Sequence, residues 1–115
     1  MARPVLVVED DPGLRELLVS IVADQGYRVL EAGSGEAALD LMEGESAQLA
    51  VLDVGLPGID GFAVADRLDP GVPVIYVTGD PIRAYAHVKG KTSNVQVLPK
   101  PLAPELLEHA VSTAL

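Results

Sequence analysis

Short apolar runs alternate with longer amphipathic stretches along this chain, and the pair of patterns repeats five times. Most of the runs are rich in β-branched residues, which is typical of strands buried on both faces of a parallel sheet. The second run is more polar than the others, which favours a position at the edge of that sheet. The predicted strands span residues 4–8, 27–31, 49–52, 74–77 and 95–98.

The stretches between the runs carry apolar residues at helical spacing and are bounded by turn and capping residues. Pro12 and Gly13 are expected to form the turn before the first helix, and Gly26 closes that helix. Ala103 is a poor cap for the last helix. The residues predicted to cap or begin the later helices are Ser34, Asp80 with Pro81, and Pro104.

Strands that alternate with helices predict an α/β fold with a parallel sheet covered on both faces. Right-handed crossovers limit the topology to a doubly wound sheet of five strands flanked by five helices. A chain of 115 residues has room for one core, so we expect a single domain over residues 1–115. We expect no attached output domain, with a piece of a longer protein as the alternative.

Composition narrows the class of protein. Hydrophobic residues make up 49% and aromatic residues 3% of the chain, so the core must be aliphatic. The absence of cysteine excludes disulfides, thiolate metal sites and thiol nucleophiles. No apolar run approaches the ~20 residues that cross a bilayer, and the N-terminus lacks the pattern of a signal peptide. We therefore expect a cytoplasmic protein without membrane contact.

The net charge of −9 argues against non-specific binding to nucleic acid or to anionic membranes. No acidic residue lies between Asp80 and Glu105, so this part of the chain is locally basic. A solvated loop and helix face is the preferred explanation, and a docking surface for an acidic partner is the alternative. The basic residues of this stretch are Arg83, Lys89, Lys91 and Lys100.

Polar residues follow four of the predicted strands at their carboxyl ends. The first strand leads to Asp10 and Asp11, the third to Asp53, the fourth to Thr78 with Gly79, and the fifth to Lys100. In an open parallel α/β sheet, the functional site lies beyond these strand ends. We therefore expect three carboxylates, a hydroxyl and an ammonium group to converge in one crevice.

This set of groups predicts magnesium-dependent phosphoryl chemistry. Clustered carboxylates repel one another unless a cation neutralises them, and oxygen ligands without histidine or cysteine favour Mg²⁺. Thr78 and Lys100 can each bind a phosphoryl oxygen, and backbone N–H groups after Asp53 and at Gly79 can complete the site. Asp53 follows a central apolar strand and is the best placed of the acids to be the phosphoryl acceptor.

Each of these features taken singly has an ordinary structural explanation. An acidic triplet is usually a surface turn, and a single aspartate after a strand is usually a cap. A threonine in a strand usually reflects β-propensity. The functional interpretation depends on the joint placement of these residues at four separate strand ends.

Over essentially its whole length the chain resembles the response-regulator receiver family. The resemblance implies a flavodoxin-like fold with strand order 2-1-3-4-5. It also implies Mg²⁺ as the cofactor and a histidine kinase or histidine phosphotransfer protein as the phosphoryl donor. The downstream target and the oligomeric state, a homodimer included, are left open. The matching motifs are residues 7–11, residues 53–58 with Asp60 and Gly61, residues 77–79, and Lys100 with Pro101.

The resemblance also assigns roles to individual residues. Asp53 is the phosphoacceptor, Thr78 the switching hydroxyl, and Lys100 the contact to the phosphoryl group. For the metal, Asp11 is a direct ligand, Asp10 acts largely through metal-bound water, and Gly55 lends its backbone carbonyl. The peptide bond before Pro101 is often cis in the family.

Several positions depart from the family pattern. Val97 stands three residues before Lys100, where the family usually has a tyrosine or phenylalanine that rotates with the threonine. Gly55, two residues after Asp53, has no side chain to shield an acyl phosphate. Asp80 is interpreted as a helix cap, with the orientation of an attacking water as the alternative. The fourth helix is predicted to be short.

The leading hypothesis is a receiver that carries a transient aspartyl phosphate and switches partner binding, without being a multiple-turnover enzyme. One alternative is a phosphorylation-independent interaction module with a vestigial acidic pocket, which Val97 would permit. Another is a Mg²⁺-dependent phosphohydrolase of the aspartyl-phosphate type. Such enzymes need a second acid two positions after the nucleophile, and Gly55 occupies that place.

Overall fold

The computed structural model describes residues 2–90 and 94–115. The predicted polar loop at residues 90–94 falls partly on residues 91–93, and Lys91 of the basic stretch is among them; these positions lie outside the described residues. Over the described residues, none of the helices is both long enough and apolar enough to span a bilayer.

A single parallel sheet of five strands runs through the described part of the chain, with the strands in the order 2-1-3-4-5. This topology confirms the doubly wound prediction and the position of the second strand at an edge. The second strand begins two residues later than predicted, because its pairing with the first strand starts at Val29 and Arg28 contributes only its carbonyl, which accepts from the Val5 N–H. The strands are β1 (Val5–Val8), β2 (Val29–Ala32), β3 (Leu49–Asp53), β4 (Val74–Thr78) and β5 (Val95–Pro99).

A helix follows each strand, as predicted. The second, third and fourth helices each begin with a side-chain cap. The side chains of Ser34, Asp60 and Asp80 each accept a hydrogen bond from a backbone N–H in the first turn. Ala103 makes no side-chain cap, as expected. The helices are α1 (Pro12–Asp24), α2 (Gly35–Met42), α3 (Gly61–Asp66), α4 (Pro81–Val88) and α5 (Pro104–Ala114).

The start of α1 corrects the sequence prediction. Pro12 and Gly13 do not form a separate turn; they are the first two helical residues, and Asp11 is the N-cap. Oδ1 of Asp11 accepts hydrogen bonds from the N–H groups of Gly13, at 2.9 Å, and Leu14, at 3.4 Å. The fixed φ of proline suits the first helical position, where its missing N–H has no intrahelical partner to lose. The helix therefore begins directly after the acidic triplet.

The core consists of two apolar layers, one on each face of the sheet. Val5 and Val7 of β1 pack with α1 and α5, whereas Leu6 and Val8 pack with the helices of the opposite face. This alternation is the period-two geometry of a strand, and it requires apolar residues at every position of a central strand. Because both faces are covered, the polar groups that follow the strands gather at the carboxyl edge.

Candidate functional site

The candidate site lies where β1, β3 and β5 end. Glu9 follows β1, Asp53 is the last residue of β3, and Lys100 follows β5. The register places Asp53 beside Val77 of β4, so Thr78 extends one residue further toward the same edge. The backbone N–H of Lys100 donates to the Thr78 carbonyl at 2.8 Å, which fixes where the lysine side chain starts.

One ammonium group lies between two buried carboxylates. Nζ of Lys100 is 2.9 Å from Oε1 of Glu9 and 3.4 Å from Oδ2 of Asp53. Glu9 is fully buried and Asp53 is 5% exposed, so both acids have lost nearly all contact with water. A buried carboxylate without a cation is strongly destabilising, and Lys100 supplies that cation to both.

Asp10 completes a cluster of three carboxylates. Oxygen atoms of Glu9, Asp10 and Asp53 lie within 4.8 Å of one another, and among residues 2–90 and 94–115 this is the one group with such spacing. Asp10 is exposed, so the cluster opens to solvent on its side. The three carboxylates outnumber the single ammonium group, so the cluster carries an excess of negative charge. Its side-chain ligands are all oxygen atoms. This donor set fits a hard divalent cation such as Mg²⁺.

Asp11 does not join this cluster, although sequence analysis placed it there with Asp10. Its side chain is exposed and caps α1, and its N–H donates to Oε2 of Glu9 at 3.0 Å. Glu9 was not among the predicted site residues, because three consecutive acids after a strand do not reveal which of them point into the pocket. Pro12 was the usable signal: a proline at the first helical position makes the preceding aspartate a cap.

Backbone N–H groups orient the remaining polar atoms of the site. Oδ1 of Asp53 accepts a hydrogen bond from the Gly55 N–H at 3.1 Å, and the buried hydroxyl of Thr78 accepts one from the Asp80 N–H at 2.9 Å. Oδ1 of Asp80 accepts from the Arg83 N–H at 3.1 Å, which confirms that Asp80 is a helix cap. The peptide bond between Lys100 and Pro101 is cis.

Val97 takes part in packing on the α3 and α4 side of the sheet. It lies beside Tyr76 in the β4–β5 register and is partly buried against the apolar layer of that face. The Tyr76 ring meets the Phe62 ring edge-on, with ring centroids 5.1 Å apart. The aromatic surface below the site is therefore supplied by β4 and α3, and β5 contributes an aliphatic residue.

Burial and mutual contacts shift the pKa values of the charged groups. Burial raises the pKa of Glu9, with Asp10 and Asp53 adding to the effect, whereas a hydrogen bond with Glu9 lowers the pKa of Asp10. The hydrogen bond between the two acids thus shifts their pKa values in opposite directions, up for Glu9 and down for Asp10. Partial burial would lower the pKa of Lys100, but contacts with Glu9 and Asp53 outweigh burial and raise it.

The raised pKa of Glu9 predicts that replacing it with glutamine stabilises the metal-free protein. A carboxyl group whose pKa is raised by folding stabilises the folded state when the pH is below its ordinary pKa of 4.5. This stabilisation is lost as the pH rises through the pKa of the folded state. In chelator at neutral pH, Glu9→Gln should therefore melt a few degrees above wild type. The difference should shrink as the pH falls toward 4.5.

Thermal melts of wild type and Glu9→Gln across this pH range measure the effect. Glu16→Gln removes an equal charge from an exposed position of α1 and serves as the control. A lower melting temperature for Glu9→Gln at neutral pH would mean that its ion pair with Lys100 outweighs the cost of burial.

Comparison with known proteins gives a consistent result over nearly the whole chain. The model of the family described as "Response regulator receiver domain" matches residues 5–112. A positive alginate biosynthesis regulatory protein of Pseudomonas aeruginosa is 38% identical over 116 residues, covering 96% of this chain and 46% of the relative. The chain spans less than half the length of this relative and of several other curated relatives that it matches.

Solved structures give the same result for the fold. The receiver domain of NtrX from Brucella abortus superimposes with a TM-score of 0.83 at 26% identity, covering 96% of both chains. A CheY-like response regulator receiver domain protein from Methanospirillum hungatei superimposes with a TM-score of 0.84 at 26% identity. That match covers 98% of this chain and 93% of the other.

Proposed function

Because this chain belongs to the response regulator receiver domain family, we propose that it accepts a phosphoryl group on Asp53 and thereby changes its binding to a protein partner. The observation that carries the proposal is the environment of Asp53. Its carboxylate is buried at a strand end, between the Gly55 N–H and the Lys100 ammonium, beside two further acids.

The proposed reaction is a direct transfer from a phosphohistidine. A carboxylate oxygen of Asp53 attacks phosphorus and forms an acyl phosphate, while the N–P bond breaks and its electron pair returns to the imidazole. Lys100 is close enough to Asp53 to pair with a phosphoryl oxygen, and the Thr78 hydroxyl has its hydrogen free to donate to another. The phosphoryl donor would be a histidine kinase or a histidine phosphotransfer protein.

Receiver domains typically bind Mg²⁺ at an acidic pocket, and we propose that this chain does so with Glu9, Asp10 and Asp53. The backbone carbonyl of Gly55 is a further proposed ligand. When bound, Mg²⁺ neutralises the charge that gathers between the acceptor and the transferred group. The geometry gives no support to Asp11 as a direct ligand, because its carboxylate is committed to capping α1.

The proposed output begins at Thr78. Its hydroxyl already accepts a hydrogen bond from the N–H of Asp80, the residue that caps α4. A shift of Thr78 toward a phosphoryl group would therefore move the start of α4, and this route needs no aromatic residue at Val97. The acidic charge of the chain supports a protein partner for this output and argues against direct contact with nucleic acid.

We also propose that the chain is a transient acceptor that does not turn over phosphomonoesters. The position two residues after Asp53 holds Gly55, where hydrolases of the aspartyl-phosphate type need an acid. Multiple turnover of a phosphomonoester substrate would contradict this part of the proposal.

Incubation with acetyl phosphate or phosphoramidate tests the function directly. With millimolar Mg²⁺ the protein should gain the mass of one phosphoryl group, and with excess chelator it should gain none. The same Mg²⁺ should raise the melting temperature, because a bound cation relieves carboxylate repulsion and binds only the folded state. Intact-mass spectrometry and thermal melts provide the measurements. No adduct with any donor, together with a melting temperature that ignores Mg²⁺, would favour a phosphorylation-independent interaction module.

A further inference from the structure

Arg15 connects the acidic pocket to two neighbouring elements. Its Nη1 donates a hydrogen bond to the backbone carbonyl of Glu9 at 2.9 Å, and its Nε lies 3.3 Å from Oε1 of Glu31 on β2. The arginine side chain is 23% exposed, so its hydrogen bond to the carbonyl is largely shielded from water. The guanidinium therefore joins the second turn of α1, the end of β1 and the edge strand.

The space that the guanidinium occupies depends on Gly33. A Cβ at this position would lie 2.9 Å from Nη1 and 3.7 Å from Cζ of Arg15, and the first distance is closer than real Cβ contacts allow. Gly33 has no positive φ, so its backbone conformation is open to other residues. What glycine provides here is room for the arginine.

The Glu9 carbonyl belongs to the peptide that joins Glu9 to Asp10, and the orientation of this peptide sets where both carboxylates point. The Glu9 N–H is fixed by the Ala32 carbonyl at 3.1 Å, and the carboxylate of Glu9 is fixed by the Asp11 N–H and Lys100. Arg15 holds the Glu9 carbonyl, so the peptide groups on both sides of Glu9 are held by hydrogen bonds. Without Arg15, the carbonyl of the peptide that leads to the exposed Asp10 would lose a charged hydrogen-bond donor.

We propose that Arg15 is a positioning residue for the divalent-cation pocket, acting through the Glu9–Asp10 peptide and accommodated by Gly33. The inference deepens the proposed function and rests on it. Arg28 offers the contrast: it forms a 3.0 Å ion pair with Glu45 but precedes β2, at the edge of the sheet away from the pocket. Of these two arginine–glutamate pairs, only that of Arg15 also holds the backbone of the acidic cluster.

Charge alone predicts the opposite result from positioning. Loss of a positive side chain near a cation site should strengthen Mg²⁺ binding, because repulsion decreases. Loss of a positioning contact should weaken it, and removal of such outer contacts typically costs at least about 10-fold in metal affinity. The sign of the change in affinity therefore separates the two effects.

Titration of the full chain with Mg²⁺, followed by amide NMR spectra, gives the Kd and reports the fold in the same sample. Arg15→Met should raise the Kd about 10-fold. Gly33→Ala, which keeps the charge but displaces the guanidinium, should raise it in the same direction. Arg15→Lys should recover part of the affinity, and the control Arg28→Met should match wild type. The double variant Arg15→Met/Gly33→Ala should bind no more weakly than Arg15→Met, because both changes act on one contact.

An unchanged or lower Kd in folded Arg15→Met, or an equal rise in Arg28→Met, would overturn the inference. A lower melting temperature in chelator with an unchanged Kd would make Arg15 a structural residue only, which also overturns it. If Arg15→Met does not fold, Gly33→Ala decides the question, because its backbone tolerates alanine. If the amide spectrum of wild type showed no Mg²⁺-dependent shifts, the proposed function itself would be overturned. If wild type and Arg15→Met bound Mg²⁺ equally well, only the inference about Arg15 would be overturned.

Discussion

Replacement of Asp53 by asparagine is expected to abolish phosphoryl incorporation from acetyl phosphate. Asparagine has nearly the same shape and can still accept the hydrogen bond from the Gly55 N–H, so the fold should persist. Its amide is not a nucleophile toward phosphorus and cannot form an acyl phosphate. Intact-mass spectrometry with Mg²⁺ present should show the adduct in wild type and none in Asp53→Asn.

Asp40→Asn is the matched control for this experiment. Asp40 is an exposed aspartate of α2, so its replacement removes one carboxylate and leaves the pocket intact. It should gain the phosphoryl mass at the wild-type rate. An adduct on Asp53→Asn at that rate would show that another group is the acceptor and would refute the assignment.

Gly61→Ala is expected to cause the largest loss of stability among single methyl additions near the site. A Cβ at Gly61 would collide with the Asp53 carbonyl oxygen and lie 2.9 Å from the carbonyl carbon and 3.1 Å from Cα of Val54. These are backbone atoms at the end of a buried strand, which cannot move aside as a side chain can. Overpacking of this kind costs about 3 kcal/mol, and the melting temperature should fall by roughly 10 °C.

Phosphoryl incorporation should fall with stability in Gly61→Ala, because the displaced backbone belongs to the acceptor. Gly13→Ala is the control: a Cβ there meets only Oδ1 of Asp11, at an ordinary 3.5 Å, and alanine is favoured within a helix. Its melting temperature should be unchanged or slightly higher. If Gly61→Ala melted like wild type, the close approach of α3 to the end of β3 would be wrong.

The order of helices and strands was predictable from the sequence because each strand of the sheet has a distinct local pattern. Buried strands such as β1 and β3 are continuously apolar, β3 up to its last residue Asp53, and no helical period competes with them over so few residues. The bounds of β2 were less predictable. Its limits are set by its pairing with β1, which local sequence does not contain.

The candidate site was predictable only as far as strand ends determine it. Asp53 and Lys100 each follow an apolar run and have no adjacent acid or lysine that could be mistaken for the site residue. In the structure, Nζ of Lys100 lies 3.4 Å from Oδ2 of Asp53. Glu9 was missed because the direction of each acid in a triplet depends on where the next helix begins. The contacts of Arg15 with Glu9 and Gly33 join three elements, and no local pattern encodes such a meeting.

The ion pairs of Lys100 also affect how firmly the edge strand β5 is held in the sheet. Its strand, β5, is an edge strand whose side chains are only partly buried, in contrast to the fully buried strands β1, β3 and β4. Neighbouring strands lie about 4.8 Å apart, so a side chain that reaches Glu9 and Asp53 from β5 crosses the whole width of β4. The two ion pairs therefore connect β5 to the ends of β1 and β3. Separation of β5 from the sheet would leave two buried carboxylates without their cation. The residue proposed to contact the phosphoryl group thus also holds one edge strand of the sheet in place.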